Sequence, residues 1–367
     1  MTAEATTQDA AAARAELVQA LADAGAITDP RWRAAFESVP RDVFVPYFFN
    51  HVGQRIAAAD PGTAEVWFAA VHDDRSLVTH RTDGAATSSS TEPSLMAAML
   101  HALDVVDGMR VLEIGTGTGY NAALLSHRLG DENVVTVDIT PDITNPARER
   151  LASAGYAPHV VTGDGSAGWA AGAPYDRIIA TCRLDAIPRA LIRQLADSGL
   201  ILAPLGNALA RIHRTGERSA EGRFLNGAFF MAMRHGHGAG ITRRPELPAG
   251  PGRPSSLPTA DIVNGDFRFL VSIVAPGLVW QYDLDDAGMP DTARVWASDG
   301  SIASLTADGA VREAGPRQLW AELEQAYRAF AAHGRPTPDR YGVTIDDQKQ
   351  HVWLDTPAGP SWRLAAA

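Results

Sequence analysis

Ten residues of this chain combine glycines, an acidic side chain and a buried strand in a way that could hold a charged ligand. The apolar, β-branched run 111–114 predicts a buried strand, and 120–129 predicts a helix. Between them three glycines stand at every second position: Gly115, Gly117 and Gly119. Glycine lets a ligand lie against bare backbone, and the helix start offers free N–H groups. Glu113 suits a ligand with a positive end better than it suits a pyrophosphate.

A second acid supports an adenosine-containing ligand. The run 134–137 predicts another strand and ends in Asp138. An acid about 20 residues after the glycine loop typically accepts the ribose hydroxyls. A dinucleotide fingerprint is the first alternative, but its third glycine would stand one position later. A glycine turn with no ligand is the second alternative. The residues therefore favour S-adenosylmethionine as the cofactor.

Alternating strands and helices must position these residues. The predicted strands are 110–114, 134–138, 158–162, 176–181 and 200–204. The predicted helices between and before them are 12–25, 30–38, 92–103, 119–129, 142–154 and 187–196. Such alternation predicts right-handed crossovers and a mostly parallel sheet. The runs 208–213 and 224–233 predict a hairpin that closes the sheet.

Composition changes after residue 234 and predicts a second unit. Residues 1–11 are expected to be a disordered tail, 12–234 a methyltransferase domain, and 235–258, rich in glycine and proline, a linker. Residues 259–367 predict a smaller α+β domain that we expect to recognise a peptide. Its predicted elements are strands at about 267–274, 278–283, 292–297, 302–306, 340–345 and 350–354, with a helix at 316–333.

Composition also limits the partners. The net charge of −11 argues against nucleic acid, because nucleic-acid binding rests on clustered Lys and Arg. No apolar run is long enough to span a membrane, and no basic signal begins the chain, so we expect a cytoplasmic protein. Cys182 is the only cysteine. His235 and His237 flank a glycine, but without nearby carboxylates we expect a surface loop and no metal site.

Motifs in a fixed order resemble the protein-L-isoaspartate O-methyltransferase family. The matching stretches are 39–41 with 44–46, 88–93, 113–119, 163–165, 173–176 and 200–206. They span roughly residues 30–234. The resemblance implies a Rossmann-like, seven-stranded class I methyltransferase fold of the α/β class. It also implies S-adenosylmethionine as methyl donor and a peptide or protein carboxylate as acceptor.

The resemblance implies roles for individual residues. The implied cofactor-binding residues are Glu113, Gly115, Thr116, Gly117, Gly119, Tyr120, Asp138, Ile139, Gly163, Asp164 and Gly165. Asp138 would hold the ribose, and Asp164 with Gly165 the adenine edge. Asp164 could instead cap its own turn. A loop of hydroxyl residues would orient the acceptor carboxylate: Ser88, Ser89, Ser90 and Thr91. That loop could instead only cap the helix that follows it.

Two features lead to a choice of substrate. Thr91 stands where the family usually has serine, and Glu92 where a small or amide residue is more common. The hydroxyl run and the long C-terminal extension resemble members that tailor ribosomal peptides, such as lanthipeptides and ATP-grasp-crosslinked peptides. The favoured interpretation is therefore methylation of a precursor-peptide aspartate, whose ester closes to an aspartimide. The alternatives are isoaspartate repair in damaged proteins and a non-catalytic scaffold that binds the cofactor.

Overall fold

The structure is a computed structural model that describes residues 3–234, 244–286 and 288–364. Its α-helices are α1 (Ala3–Asp23), α2 (Pro30–Ser38), α3 (Arg41–Phe44), α4 (Ala64–Val71), α5 (Pro93–Leu103), α6 (Tyr120–Leu129), α7 (Pro141–Ser153), α8 (Arg189–Gln194), α9 (Thr259–Ile262), α10 (Gly265–Val274) and α11 (Leu319–Ala332).

The β-strands follow the same chain order. They are β1 (Tyr47–Phe49), β2 (Arg55–Ala57), β3 (Leu77–Thr82), β4 (Ala85–Ser90), β5 (Val111–Ile114), β6 (Val134–Asp138), β7 (His159–Thr162), β8 (Tyr175–Ala180), β9 (Leu195–Leu205), β10 (Ala208–Arg214), β11 (Ala220–Gly227), β12 (Arg253–Pro254), β13 (Val279–Leu284), β14 (Pro290–Trp296), β15 (Ile302–Leu305), β16 (Ala310–Ala314), β17 (Tyr341–Ile345), β18 (Gln350–Leu354) and β19 (Ser361–Arg363).

Local signals explain where the N-terminal helices begin. The Asp29 carboxylate accepts the backbone N–H of Arg31, and Pro30 occupies the first helical turn, so α2 begins where the sequence predicts it. The predicted disordered tail at residues 1–11 is not observed over residues 3–11, because these residues belong to helix α1. Alanine at positions 10–13, the best helix former, continues the helix towards the N-terminus.

The large sheet places the predicted ligand loop at a change of strand direction. Its order is β19-β18-β17-β11-β10-β9-β8-β5-β6-β7. Strands β5 to β9 are parallel, and the chain leaves β5 first towards β6 and β7, then returns to β8 on the other side. Ligands bind at such switch points, outside the carboxyl ends of the strands. The predicted α/β fold with a mostly parallel sheet is confirmed, and β5 to β11 are its seven predicted strands.

The C-terminal strands extend this same sheet. The predicted hairpin forms as β10 and β11, and β17 pairs with β11 antiparallel, from Ala220 opposite Ile345 to Arg223 opposite Gly342. Strands β18 and β19 then follow β17. The predicted division at 235–258 therefore does not correspond to a break in the sheet, because its last three strands come from the predicted second domain.

A five-stranded sheet forms the rest of the C-terminal region, in the order β12-β16-β15-β14-β13. Strand β12 lies inside the predicted linker and pairs with β16. The run 267–274, predicted as a strand, is part of helix α10, which Asn264 caps through Phe267 N–H. One hydrophobic core joins both sheets, since it includes Ile178 of β8, Phe269 of α10 and Val295 of β14.

A small four-stranded sheet precedes the parallel region, in the order β2-β1-β3-β4. Strand β4 includes Ser88, Ser89 and Ser90, and it pairs with β3 on one side. The sequence predicts these residues as a loop, so the structure corrects that assignment. The strand delivers the serine hydroxyls to the cofactor side of the large sheet. Within the described residues no helix is long and apolar enough to cross a membrane.

Candidate active site

A cleft opens at the carboxyl ends of β5, β6 and β8. It encloses about 900 Å³ of empty space, open solvent at its mouth included. We call it the main cleft. Its lining includes these predicted residues: Ser88, Ser89, Ser90, Thr91, Glu113, Gly115, Thr116, Gly117, Tyr120, Asp138, Ile139 and Gly165. Gly119, Gly163 and Asp164 lie outside that lining.

The glycine loop brings bare backbone to the floor of the main cleft. Gly115 has a φ of 102°, and a Cβ there would lie 2.6 Å from Thr181 Oγ1, so no other residue fits without displacement. The Thr181 hydroxyl donates to the Gly115 carbonyl at 2.6 Å. Gly117 also has a positive φ, of 52°, and faces Ser88 across the cleft. These contacts fix the loop conformation before any ligand binds.

Glu113 is fully buried beneath the loop. Its two carboxylate oxygens accept hydrogen bonds from Asn121 Nδ2 at 2.7 Å and from the Thr136 hydroxyl at 2.6 Å. Burial raises the pKa of Glu113 to about 7, and these two hydrogen bonds oppose the rise. A bound cation would favour the ionised form of this carboxylate.

Asp138 stands at the end of β6 and holds the loop from the other side. One carboxylate oxygen accepts the Gly117 N–H at 2.9 Å, and the other accepts the Ile139 N–H at 2.8 Å. Burial raises the pKa of Asp138, while both backbone donors lower it. Each oxygen keeps a lone pair, so the carboxylate could still accept a ligand hydroxyl.

The segment 88–91 closes one wall of the main cleft, and a buried arginine supports it. Arg41 is 2% exposed, and its Nη2 donates to the carbonyls of Arg75 and Thr91. Its Nε donates to Ser90 Oγ at 3.4 Å, and its Nη1 donates to two further carbonyls, of Val71 and Asp73. The sequence motif contained Arg41, but the sequence did not reveal that it anchors this wall.

Asp164 occupies the turn after β7, where it acts as a cap. Its carboxylate accepts the Ser166 N–H at 2.8 Å, which matches the alternative interpretation of this residue. Gly165 reaches the cleft lining, and a Cβ there would lie 2.5 Å from Ile114 Cγ2. The Gly163 N–H donates to the Asp138 carbonyl at 2.8 Å. The turn therefore supports the main cleft from behind.

A second wall of the main cleft is not evident from the sequence. The main cleft is also lined by Met96, Asn121, Val137, Ile143, Thr181, Cys182, Phe230, Met231, Ala232, Met233 and Arg234. Thr181 and Cys182 directly follow β8, so the rule that ligands bind at the carboxyl ends of strands could have identified them. Residues 230–234 reach the site only through tertiary pairing, in which Arg183 N–H donates to the Met231 carbonyl at 2.8 Å.

The chemistry of the cleft fits S-adenosylmethionine. Hydrogen-bond acceptors of the cleft suit the positive end of S-adenosylmethionine. Asn121 donates through Nδ2 to the Glu113 carboxylate, and its buried Oδ1 has no hydrogen-bond partner among the described residues. Asp138 offers acceptor capacity for hydroxyl groups, and the glycines leave room for a flat ligand. His235 and His237 lie outside the described residues. The part of the chain that the structure describes contains no cluster of three or more potential metal ligands.

Comparisons with known proteins agree with this geometry. Residues 12–237 match the family model of protein-L-isoaspartate(D-aspartate) O-methyltransferase. Protein-L-isoaspartate O-methyltransferase 2 of Pelobacter propionicus is 36% identical over 213 residues, which are 56% of this chain and 84% of that protein. The protein-L-isoaspartate O-methyltransferase of Methanothermobacter thermautotrophicus is 34% identical over 232 residues, 61% of this chain and 96% of that protein.

A solved structure shares the fold beyond the matched region. A protein-L-isoaspartate O-methyltransferase with 23% sequence identity superposes with a TM-score of 0.56. The superposition covers 94% of this chain and 100% of that chain. The family model spans well over half of the sequence, and both relatives are matched over most of their length. The chain belongs to the protein-L-isoaspartate(D-aspartate) O-methyltransferase family and is an S-adenosylmethionine-dependent carboxyl O-methyltransferase.

Proposed function

We propose that this enzyme methylates the free carboxylate of isoaspartyl residues in proteins and peptides. The observation that carries the proposal is the family match over residues 12–237, together with relatives of that name. The C-terminal extension, which led the sequence analysis to prefer peptide tailoring, does not distinguish the two substrates. A solved protein-L-isoaspartate O-methyltransferase has a similar fold over 94% of this chain.

The main cleft is the proposed site for the methyl donor. Glu113 and Asn121 would hold its positive end, and Asp138 its ribose hydroxyls. The glycine loop would lie against it, with Gly165 on the adenine side. When bound, the cofactor supplies an electrophilic methyl group. The remaining work of the chain is to place a carboxylate oxygen and to exclude water.

The acceptor needs no general base, because a carboxylate with a pKa near 4 is ionised at neutral pH. We propose that hydroxyl groups of the segment 88–91 orient this carboxylate. The Ser88 hydroxyl faces Gly117 of the glycine loop, and the Ser90 hydroxyl accepts a hydrogen bond from Arg41 behind the wall. Weak, neutral donors suit this task because they position the nucleophile without neutralising its charge.

A second candidate substrate is an ordinary aspartate of a ribosomally made precursor peptide. It rests on the sequence departures at Thr91 and Glu92, since Thr91 lines the main cleft. A methyl ester formed there would be attacked by the next backbone nitrogen, with loss of methanol and closure to an aspartimide. A scaffold without catalysis is the third possibility, and an intact glycine loop argues against it.

Mass spectrometry separates these possibilities. The enzyme is incubated with S-adenosylmethionine and either an isoaspartyl peptide, the same peptide with ordinary aspartate, or a crosslinked aspartate-containing precursor. We expect one added methyl group on the isoaspartyl peptide alone. Methylation followed by methanol loss on the precursor alone would overturn the proposal in favour of tailoring. No methylation of any peptide, with cofactor binding intact, would favour the scaffold.

A further inference from the structure

A second cleft lies beside the main cleft, between the end of the β11 segment and helix α10. We call it the side cleft. It is lined on one side by Arg183 and Phe229, and on the other by Arg268 and Trp280. Phe229 is 62% exposed, so its ring is open to solvent at the edge of the side cleft. The family motifs of the sequence do not include the side cleft.

The two clefts share a wall. Phe230 lines both of them, while Cys182 faces the main cleft and its neighbour Arg183 faces the side cleft. Backbone hydrogen bonds hold this wall together: Arg183 N–H donates to the Met231 carbonyl, and Met233 N–H donates to the Arg183 carbonyl, both at 2.8 Å. Phe230 therefore separates the two clefts by a single side chain, and an extended peptide advances about 3.3 Å per residue across it.

Arg268 supplies the side cleft with an uncompensated positive charge. Its guanidinium carbon lies 3.9 Å from the centre of the Trp280 ring. Among the described residues it donates no side-chain hydrogen bond and has no carboxylate partner, and its Nε is buried. Burial lowers the pKa of Arg268 to about 10, so the side chain remains a cation at neutral pH. A partly desolvated guanidinium held over an aromatic ring is preorganised for a planar anion.

The other charges of the side cleft largely cancel. Arg183 Nε lies 3.7 Å from a carboxylate oxygen of Asp185, so this pair contributes little net charge. The whole chain carries a net charge of −11 and would repel acidic peptides from most of its surface. An acidic group of a peptide therefore binds favourably only where a local cation outweighs this repulsion. Arg268 is such a cation.

We propose that the side cleft is a specificity subsite for an acidic side chain of the substrate, one to three residues from the methylated residue. This inference rests on the proposed function, since it requires a peptide acceptor in the main cleft. The Arg268 guanidinium binds the carboxylate through paired N–H donors, and Trp280 holds the guanidinium plane in place. The enzyme then prefers isoaspartyl sites in acidic sequence surroundings.

The test uses isoaspartyl peptides that differ only by Glu or Gln at one flanking position, scanned over three positions on each side. For the wild-type enzyme we expect kcat/KM to be about tenfold higher with Glu at one or two of these positions. R268Q should reduce that preference to less than about twofold. R268K keeps the charge without the planar fork and should retain an intermediate preference.

A matched control removes the same charge elsewhere. Arg328 is an exposed arginine of the neighbouring helix α11, and R328Q should keep the full preference for the acidic peptide. Equal kcat/KM for Glu and Gln peptides in the wild type would overturn the subsite, and so would equal losses on both peptides in R268Q. If neither peptide is methylated by the wild type, the proposed function fails instead, so the two failures are distinguishable.

Discussion

At the scale of single residues, burial and hydrogen bonding shift the pKa of the Glu113 carboxyl group in opposite directions. Burial favours its neutral form and raises its pKa to about 7, while Asn121 and Thr136 donate to the charged form. The nearby Asp138 carboxylate raises the pKa further. A cationic ligand end would supply the missing opposite charge. Without the cofactor, the buried Glu113 carboxylate has no opposite charge beside it among the described residues. Cofactor binding is therefore expected to offset the desolvation free energy of this carboxylate.

This balance predicts how cofactor binding depends on pH. The ionised form of Glu113 binds the cation, so affinity for S-adenosylmethionine should rise as pH increases through about 7. In E113Q the affinity should fall at least about tenfold and lose that pH dependence. Titration calorimetry between about pH 6 and about pH 8 measures both effects. E221Q, which changes an exposed carboxylate on β11, serves as the control. Unchanged binding by E113Q would refute the assigned role.

The ligand-free protein should show the opposite trend in stability. The folded pKa of Glu113 lies above its ordinary value of 4.5, so the folded state retains a proton that the unfolded state loses. The contribution of Glu113 to the free energy of unfolding is therefore largest below about pH 4.5 and decreases towards about pH 7. Thermal melts of E113Q without cofactor should decline less over this range than those of the wild type. Parallel curves would contradict this assignment.

At the scale of elements, Arg41 links four parts of the chain. It belongs to α3, and its guanidinium binds carbonyls at the end of α4, before β3 and before α5. Its remaining bond reaches Ser90 at the end of β4. The Val71 carbonyl is the last of α4, where the helix itself supplies no N–H donor. One side chain therefore positions the wall that carries the hydroxyl residues.

Replacing Arg41 should weaken this wall more than any exposed arginine would. R41M removes the arginine donor from the carbonyls of Val71, Asp73, Arg75 and Thr91, and we expect it to lower the free energy of unfolding by about 3–5 kcal/mol. In any folded fraction, KM for the peptide should rise more than the dissociation constant of the cofactor, because we propose that the 88–91 wall orients the acceptor. Denaturant unfolding and steady-state kinetics measure these effects, with R55M on β2 as an exposed control. A stable R41M enzyme with normal KM would exclude the anchoring role.

At the scale of the whole molecule, the two sheets and the C-terminal helices form one continuous core. Phe224 of β11 packs edge-on against Phe269 of α10, with ring centres 4.8 Å apart, and Phe269 also contacts Tyr341 of β17. Gln350 of β18 exchanges hydrogen bonds with the backbone of Ile187 beside the parallel strands. The C-terminal strands thus belong to the structural unit that carries the catalytic site.

This continuity predicts that a change in β17 will unfold the cofactor domain. V343D places a charge at a fully buried position and should lower the free energy of unfolding by about 3–5 kcal/mol. The loss should appear as one cooperative transition that also releases the cofactor. Calorimetry with and without S-adenosylmethionine tests this, with S361D at an exposed position of β19 as the control. Two separate transitions, with cofactor bound through the first, would show independent domains.

Much of the site was readable in the sequence because its signals are local. Glycines at alternate positions after a β-branched run predict a ligand loop, and all three have positive φ in the structure. Acids at the ends of β5 and β6 follow the same strand-end rule, and both Glu113 and Asp138 line the main cleft. Their contacts with the cofactor stay predictions. These residues are positioned by the strands next to them in sequence.

Other features of the fold and the site are fixed only by contacts between residues that are far apart in the sequence. The strand character of 88–90, the Arg41 anchor, the wall at 230–234 and the entry of β17 into the large sheet all rest on contacts that no local pattern encodes. The run 267–274 has strand-like residues, yet packing of one apolar face against α11 and β11 makes it a helix. Intrinsic conformational preferences differ by only a fraction of a kcal/mol per residue. Burial of apolar side chains in a shared core contributes more free energy, so it determines whether such a run is a helix or a strand.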